Sequence, residues 1–153
     1  ILASYFYPHL KNDKVDLGRV LIMLSIHDIG ETVTGEIFAY SKTEINENEE
    51  IDAALKILDP ALREYFIEYE EKEAFDAKYA RSIDILAPNI LGLDRAHINL
   101  SKFKSLNAKV SDIVSKKRKY MEWNPLMLEV FDTVIRQIED VELGRKTEFN
   151  LET

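Results

Sequence analysis

The residues with the most chemical potential follow a stretch of hydrocarbon. Seven almost wholly apolar residues, 20–26 (VLIMLSI), run straight into His27-Asp28, and Glu31 follows within one helical turn. At helical spacing His27/Glu31 stand at i,i+4 and Asp28/Glu31 at i,i+3, so each pair shares a helical face. His27 and Asp28 splay by roughly a quarter turn, but their different lengths let both converge on one ion near the helix end. Titratable groups in an apolar setting are costly without a partner, and a divalent cation would offset the carboxylate. Imidazole with carboxylate suits manganese, iron, cobalt, nickel or zinc better than an all-oxygen magnesium site. The alternative is structural: the pair bonds backbone groups or itself. A further carboxylate, Asp84, lies in AKYARSIDILAPNIL among Phe75, Tyr79, Ala80, Ile83, Leu86 and Ala87. It too needs a counter-charge, and Arg81 at i−3 offers one without any metal.

Helices must position these residues, because apolar residues recur at helical spacing and no period of two appears. A first helical piece over about 1–10 breaks near Pro8. Asp16 caps a second helix over about 17–29, apolar nearly all round after Arg19 and so expected to be central and enclosed. Gly30 and Gly35 punctuate a turn-rich segment to about residue 42. Residues 46–50, polar and acidic, are expected to form a loop leading into a helix over about 49–58. Asp59-Pro60 reads as N-cap and N1 of the next helix. Helical spacing through Phe66, Tyr69, Phe75, Tyr79 and Ile83 continues past a kink at Pro88 to a stop near Gly92. A helix over about 101–120 turns Phe103, Leu106, Val110, Ile113 and Val114 inward. Asn124-Pro125 starts the last helix, with Leu126, Leu128, Val130, Phe131, Val134, Ile135 and Ile138. The sequence therefore predicts an all-α fold: one helical bundle of about six to seven helices over 1–143, with a frayed tail at 144–153.

Composition narrows the function classes. A chain of 153 residues has room for one continuous core. The net charge of −8 repels a phosphate backbone, which argues against nucleic-acid binding. The basic run Lys116-Lys117-Arg118-Lys119 reads as a solvated helix end complementing the macrodipole. The chain has no cysteine, which excludes disulfides, thiolate zinc sites and cysteine nucleophiles and fits a cytoplasmic setting. No apolar run is long enough for a membrane span, and no signal-peptide pattern is seen at the N-terminus. Apolar helix faces hint at a homodimer.

The segment HDIGETVTGEI resembles the signature of the HD-domain metal-dependent phosphohydrolases, and more narrowly their 5′-deoxynucleotidase branch. In that branch a histidine-aspartate pair is followed by a glutamate and a Thr-Gly-acidic element; here these are His27-Asp28, Glu31 and Thr34-Gly35-Glu36. EYEEKEAFDAKYARSIDILAP resembles the family's Glu-Tyr-Glu segment and the helix bearing its last metal-binding aspartate, which falls on Asp84. WNPLMLEVFDTVIRQIED resembles its closing helix. The likeness covers most of residues 1–140. The family's first ligand, a histidine on the preceding helix, aligns about two turns, roughly seven residues, upstream of Ile1. His9, beside Pro8, is a poor substitute. The family's usual aspartate after the glycine is Glu36 here, one methylene longer.

The resemblance implies one divalent ion (Mn, Co, Fe, Ni, Zn or Mg) held by His27, Asp28, Asp84 and the upstream histidine, activating water for attack on phosphorus. Asp28 and Glu31 are then the catalytic residues, with Glu31 orienting the water or relaying its proton. Glu36 would contact the sugar, and Arg81, Lys78 or Lys42 the phosphate. The implied substrate is a small phosphomonoester, most readily a (deoxy)nucleoside 5′-monophosphate. GETVTGE lacks the Gly-Lys-Ser/Thr ending of a P-loop, which disfavours a nucleoside-triphosphate motor or kinase. His97 stands either at the pocket mouth or in a plain turn, and Trp123 reads as a packing anchor. A second function stays open on the sequence: a catalytically incomplete HD-fold domain acting in nucleotide sensing or partner binding.

Overall fold

Side chains of Asp16, Thr43, Asp59 and Asn124 cap four of the helix starts in the computed structural model, which describes residues 1–35, 43–93, 100–101 and 109–145. Among these residues every regular element is helical, as the periodicity predicts. In chain order they are α1 (Leu2–Phe6), α2 (Leu17–Ile26), α3 (Glu31–Thr34), α4 (Glu44–Ile57), α5 (Pro60–Glu71), α6 (Phe75–Leu91), α7 (Val110–Lys117) and α8 (Pro125–Glu142). A 3-10 turn, Tyr7–His9, follows α1 at Pro8, and another, Arg118–Tyr120, follows α7. The chain divides into two compact units: Asn12–Ala80, and Ile1–Lys11 together with Arg81–Thr153.

In the unit Asn12–Ala80, the Asp16 carboxylate accepts the Gly18 and Arg19 N–H groups and so starts α2. Its own backbone N–H donates to Asp76 Oδ1, 2.7 Å away. Arg19 then reaches Asp76 Oδ2 (3.0 Å) and Glu68, with its guanidinium over the Tyr65 ring. Burial opposes that cation, yet Glu68 and Asp76 outweigh it and hold the Arg19 pKa above its ordinary value. These contacts tie α2 to α5 and to the start of α6. Ile26, Ala54, Leu58 and Phe66 form the apolar core beneath, packed by Ile22, Ile29, Ile51, Leu55 and Leu62.

Three expectations change here. Residues 46–50 are helical, not a loop: Thr43 and Asn46 form a reciprocal capping box that starts α4 at Glu44. Asn in place of the usual Glu or Gln hides that signal in the sequence. Helix α2 ends at Ile26, three residues short of the expected stop. It is also one-sided rather than enclosed, burying Val20, Met23 and Ile26 while Gly18, Leu21 and Ser25 face outward. The enclosed helix is α6, in which Ala77, Tyr79, Ala80, Ser82, Ile83, Ile85 and Leu86 are all buried.

In the other unit, Asn124 accepts the Leu126 and Met127 N–H groups at the start of α8. Its Nδ2 donates to the Leu10 carbonyl (3.1 Å), which fastens the end of the N-terminal segment to α8. Trp123 anchors the same corner, as expected: its Nε1 donates to Ser82 Oγ, which in turn donates to the Tyr120 carbonyl. Helix α8 buries Met127, Phe131, Val134, Ile135 and Ile138, and Leu126, Leu128 and Val130 are only half-buried. Pro88 lies inside α6 without ending it. Having no N–H, it withholds the helical bond from the Asp84 carbonyl one turn back. Residues Phe103 and Leu106 lie outside the described residues.

Candidate metal centre

The backbone tightens where α2 stops. His27 is its C-cap, donating to the Met23 carbonyl (3.0 Å). From there Ile29, Glu31 and Thr32 donate to the carbonyls three residues back, Ile26, Asp28 and Ile29. Three-residue spacing is tighter than an α-helix, so His27, Asp28 and Glu31 do not share one continuous helical face as the spacing argument assumed. Glu31 instead opens the separate helix α3. Gly30, between Asp28 and Glu31, is buried against α4: a Cβ there would lie 2.2 Å from the Glu50 carbonyl oxygen. Gly35 ends α3 at φ 82°, ψ 155°, a region open essentially to glycine alone.

His27 is the most constrained member. Its side chain is 14% exposed against 63% for Asp28, so one ligand is anchored inside and the other reaches out. The Nδ1–H donates to the Leu24 carbonyl (3.0 Å), and Tyr69, itself buried, lies against the imidazole with ring centroids 5.3 Å apart. The Nε2 atom faces Asp28 Oδ2 at 3.0 Å. A carbonyl and a carboxylate are both acceptors. Imidazole therefore satisfies these two neighbours only by carrying a proton on each nitrogen, or by sharing a cation with the carboxylate at Nε2. A spacing of 3.0 Å is that of a direct hydrogen bond and is compatible with the second arrangement too. Two donor atoms at about 2.1 Å from one ion and at right angles to each other are about 3.0 Å apart. A ligating histidine also characteristically donates its other N–H to a carbonyl, which fixes tautomer and ring orientation. His27 and Asp28 thus fit two positions of a divalent ion.

Asp84, on α6 in the other unit, is met by Arg81: Nη1 to Oδ2 is 3.3 Å, with side-chain exposures of 22% and 29%. This is the pairing that the i−3 spacing offered. The Arg81 guanidinium also stands 5.7 Å from the Tyr120 ring centre, and Lys119 Nζ stands 5.0 Å from the same ring. Lys78 Nζ lies 5.7 Å from the Phe75 ring centre. His9 is exposed in its 3-10 turn. Among the described residues no three His, Asp or Glu side chains are grouped to hold one ion. Glu36, Lys42 and His97 lie outside the described residues. Tyr69 and the Leu24 carbonyl are the supports that sequence reasoning missed. Tyr69 stands in the Glu68-Tyr69-Glu70 segment, but a tyrosine at helical spacing is indistinguishable from core packing until its neighbour is known.

The described chain is thus all-α, with a histidine-aspartate pair at the end of an apolar helix and its imidazole braced by a backbone carbonyl. The particular family follows from comparison: residues 1–124 match the model of the HD domain, and the chain belongs to the HD-domain family. That family is in general one of metal-dependent phosphohydrolases that bind divalent ions. No curated protein and no solved structure matches the chain. Among the described residues, no helix is long and apolar enough to cross a membrane.

Proposed function

We propose that the chain hydrolyses a small phosphomonoester, a (deoxy)nucleoside 5′-monophosphate, with a divalent ion held by His27 and Asp28, and with Asp84 as the third ligand that the family resemblance implies. The observation that carries the reading is the braced imidazole, with Nε2 turned to Asp28 Oδ2 at 3.0 Å and Nδ1–H spent on the Leu24 carbonyl. A bound divalent ion supplies Lewis-acid polarisation of the phosphate and a water acidic enough to lose its proton near neutrality. The chain's own groups do the rest. His27 enters with its orientation already fixed, so little ordering cost remains. Glu31, at the start of α3 and half-exposed, takes the proton of the attacking water. Arg81 and Lys78 supply cations for the phosphate oxygens, and Glu36 hydrogen-bonds the sugar.

A second reading draws on one observation: Asp84 already has Arg81 for a counter-charge. A chain whose last carboxylate is so paired would keep the HD fold as a nucleotide-sensing or partner-binding domain without hydrolysis.

The test is phosphate release from a panel of nucleoside monophosphates after chelation and metal add-back, with Asp84→Asn and Glu31→Ala alongside. The proposal expects release restored by manganese or cobalt and lost in both variants. Stoichiometric metal on folded protein with no release from any nucleotide rejects the substrate class. Absence of both release and bound metal transfers support to the sensing domain.

A further inference from the structure

We infer that Arg19 is a positioning residue for His27: it clasps Glu68 on α5 and so fixes the roll of that helix, which sets the adjacent Tyr69 ring against the imidazole. The inference rests on the proposed role of His27 as a metal ligand. It adds a residue about two turns away on α2 that governs how firmly the imidazole is held.

The clasp is built to hold one arrangement. Arg19 Nη2 donates to Glu68 Oε2 at 2.5 Å, and its Nε donates to Asp76 Oδ2 at 3.0 Å. Asp76 is buried, and its other oxygen takes the Asp16 N–H at the start of α2. The guanidinium also lies over the Tyr65 ring, 4.8 Å from its centre. A planar cation bonded through two nitrogens and stacked on a ring has little freedom to swing.

Helix α5 carries that constraint to His27. Glu68 and Tyr69 are successive residues, and Tyr65 and Tyr69 stand one turn apart on the same helical face. Helix α5 therefore meets α2 at two rings, Tyr65 beneath Arg19 and Tyr69 beside His27. Phe66 packs with Ile26 in the apolar core, but apolar burial is non-directional and resists a small roll weakly. A charge-assisted bond is directional and selects one roll among near-equal ones. A roll of about 10° carries a side chain standing about 5–6 Å from the helix axis through about 1 Å. A gap of that size forfeits roughly a quarter to a half of each contact between the two rings. With side-chain exposures of 32% and 25%, the Arg19–Glu68 pair adds little to stability by itself, so orientation is its larger consequence.

The experiment uses the purified chain stripped of metal, with the His27 ring signals in a proton–carbon spectrum as the first readout. The chain has three histidines, His9, His27 and His97, and His27→Gln assigns the signals. A neighbouring aromatic ring displaces such signals, so Tyr69→Leu supplies the value for an imidazole without its ring. Arg19→Met, which keeps the apolar stem and removes the clasp, should move the His27 signals part of the way towards that value. In a Tyr69→Leu background the same substitution should move them no further. Unmoved His27 signals in folded Arg19→Met, or an equal displacement in both backgrounds, overturn the inference whatever the urea midpoint does. Arg19→Lys keeps the charge without the planar fork; it should give an intermediate displacement and stands in if Arg19→Met fails to fold. Manganese calorimetry is the second readout: Arg19→Met should lower affinity roughly threefold, the range of a partly exposed pair, and only while Tyr69 is present. A loss of equal size in Tyr69→Leu also overturns the inference. A parent chain that binds no manganese rejects the metal reading instead, and the ring signals then decide the role of Arg19 by themselves.

Discussion

Replacing Gly30 by alanine tests whether α4 fixes the turn that carries His27, Asp28 and Glu31. Gly30 has ordinary right-handed angles (φ −61°, ψ −35°), so backbone freedom is not what glycine provides. By conformational entropy alone alanine would stabilise by about 0.4–1 kcal/mol. Against this, the new methyl would sit 2.2 Å from the Glu50 carbonyl oxygen, 2.9 Å from its carbon and 3.2 Å from its Cα. A comfortable carbon–oxygen approach is about 3.3 Å, so the backbone of α4 must retreat by about 1 Å. A backbone cannot step aside as a side-chain tip can. A gap of that size forfeits roughly a quarter to a half of each affected dispersion contact, and Ile51, Ala54 and Leu55 of α4, with Leu58 at its C-cap, all pack in this core. The overpacking cost is about 1–3 kcal/mol, which exceeds the entropic gain. Gly30→Ala should therefore lower the urea midpoint, followed by far-ultraviolet circular dichroism, with an unchanged slope. It should also weaken manganese binding, because the turn holding Asp28 and Glu31 is the other part able to move. A neutral or stabilised variant would refute the close approach of α4 to Gly30.

Further outcomes follow from other contacts. Asn124→Ala should destabilise by roughly 2–3 kcal/mol, losing a cap and leaving the Leu10 carbonyl without its donor; Asn124→Ser, which restores only the cap, should recover about 1 kcal/mol in the same denaturation assay. Tyr69→Phe should keep manganese affinity near that of the parent, whereas Tyr69→Leu should lower it about tenfold by loosening the His27 ring, read by calorimetry on folded protein. Burial raises the Tyr79 pKa well above its ordinary value of 10.0. The folded chain therefore keeps that proton at pH values where the unfolded chain loses it, so this contribution is complete below pH 10 and falls as pH rises beyond it. Urea midpoints at pH 9 and 11 should show the decline, and Tyr79→Phe should flatten it.

The helices were legible where the sequence carried one-residue signals that physics makes nearly compulsory. Asp16, Asp59 and Asn124 each begin a helix as expected, and Pro60 and Pro125 each fill the first helical position, where the missing N–H costs nothing. Pro88 was correctly placed inside a continuing helix. What escaped were signals that require knowing a partner. The Thr43–Asn46 box depends on a side chain short of the usual length, so α4 begins several residues early. The outer face of α2 is set by Gly18 and Ser25 flanking Leu21, too few polar residues to outweigh the apolar composition of the window. Neither error concerns helix type; both concern what a face or an end meets in space.

The candidate site divides along the same line. His27 and Asp28 are neighbours in sequence, and their 3.0 Å contact, with the bond from His27 to the Leu24 carbonyl, is the structural alternative the sequence left open, in which the pair bonds itself and the backbone. Glu31 was reached by assuming an unbroken helix, an assumption that fails because Gly30 lets α4 come so close that the chain turns early. The supports of His27 could not be read at all: the Leu24 carbonyl is available only because α2 ends two residues later, and Tyr69 arrives from α5. These supports bear most directly on chemistry. An imidazole with one nitrogen committed to a carbonyl and the other facing a carboxylate has no neutral form that satisfies both neighbours. With Nδ1–H committed to the Leu24 carbonyl and Nε2 facing Asp28, the fold holds the imidazole in the orientation that ligation needs.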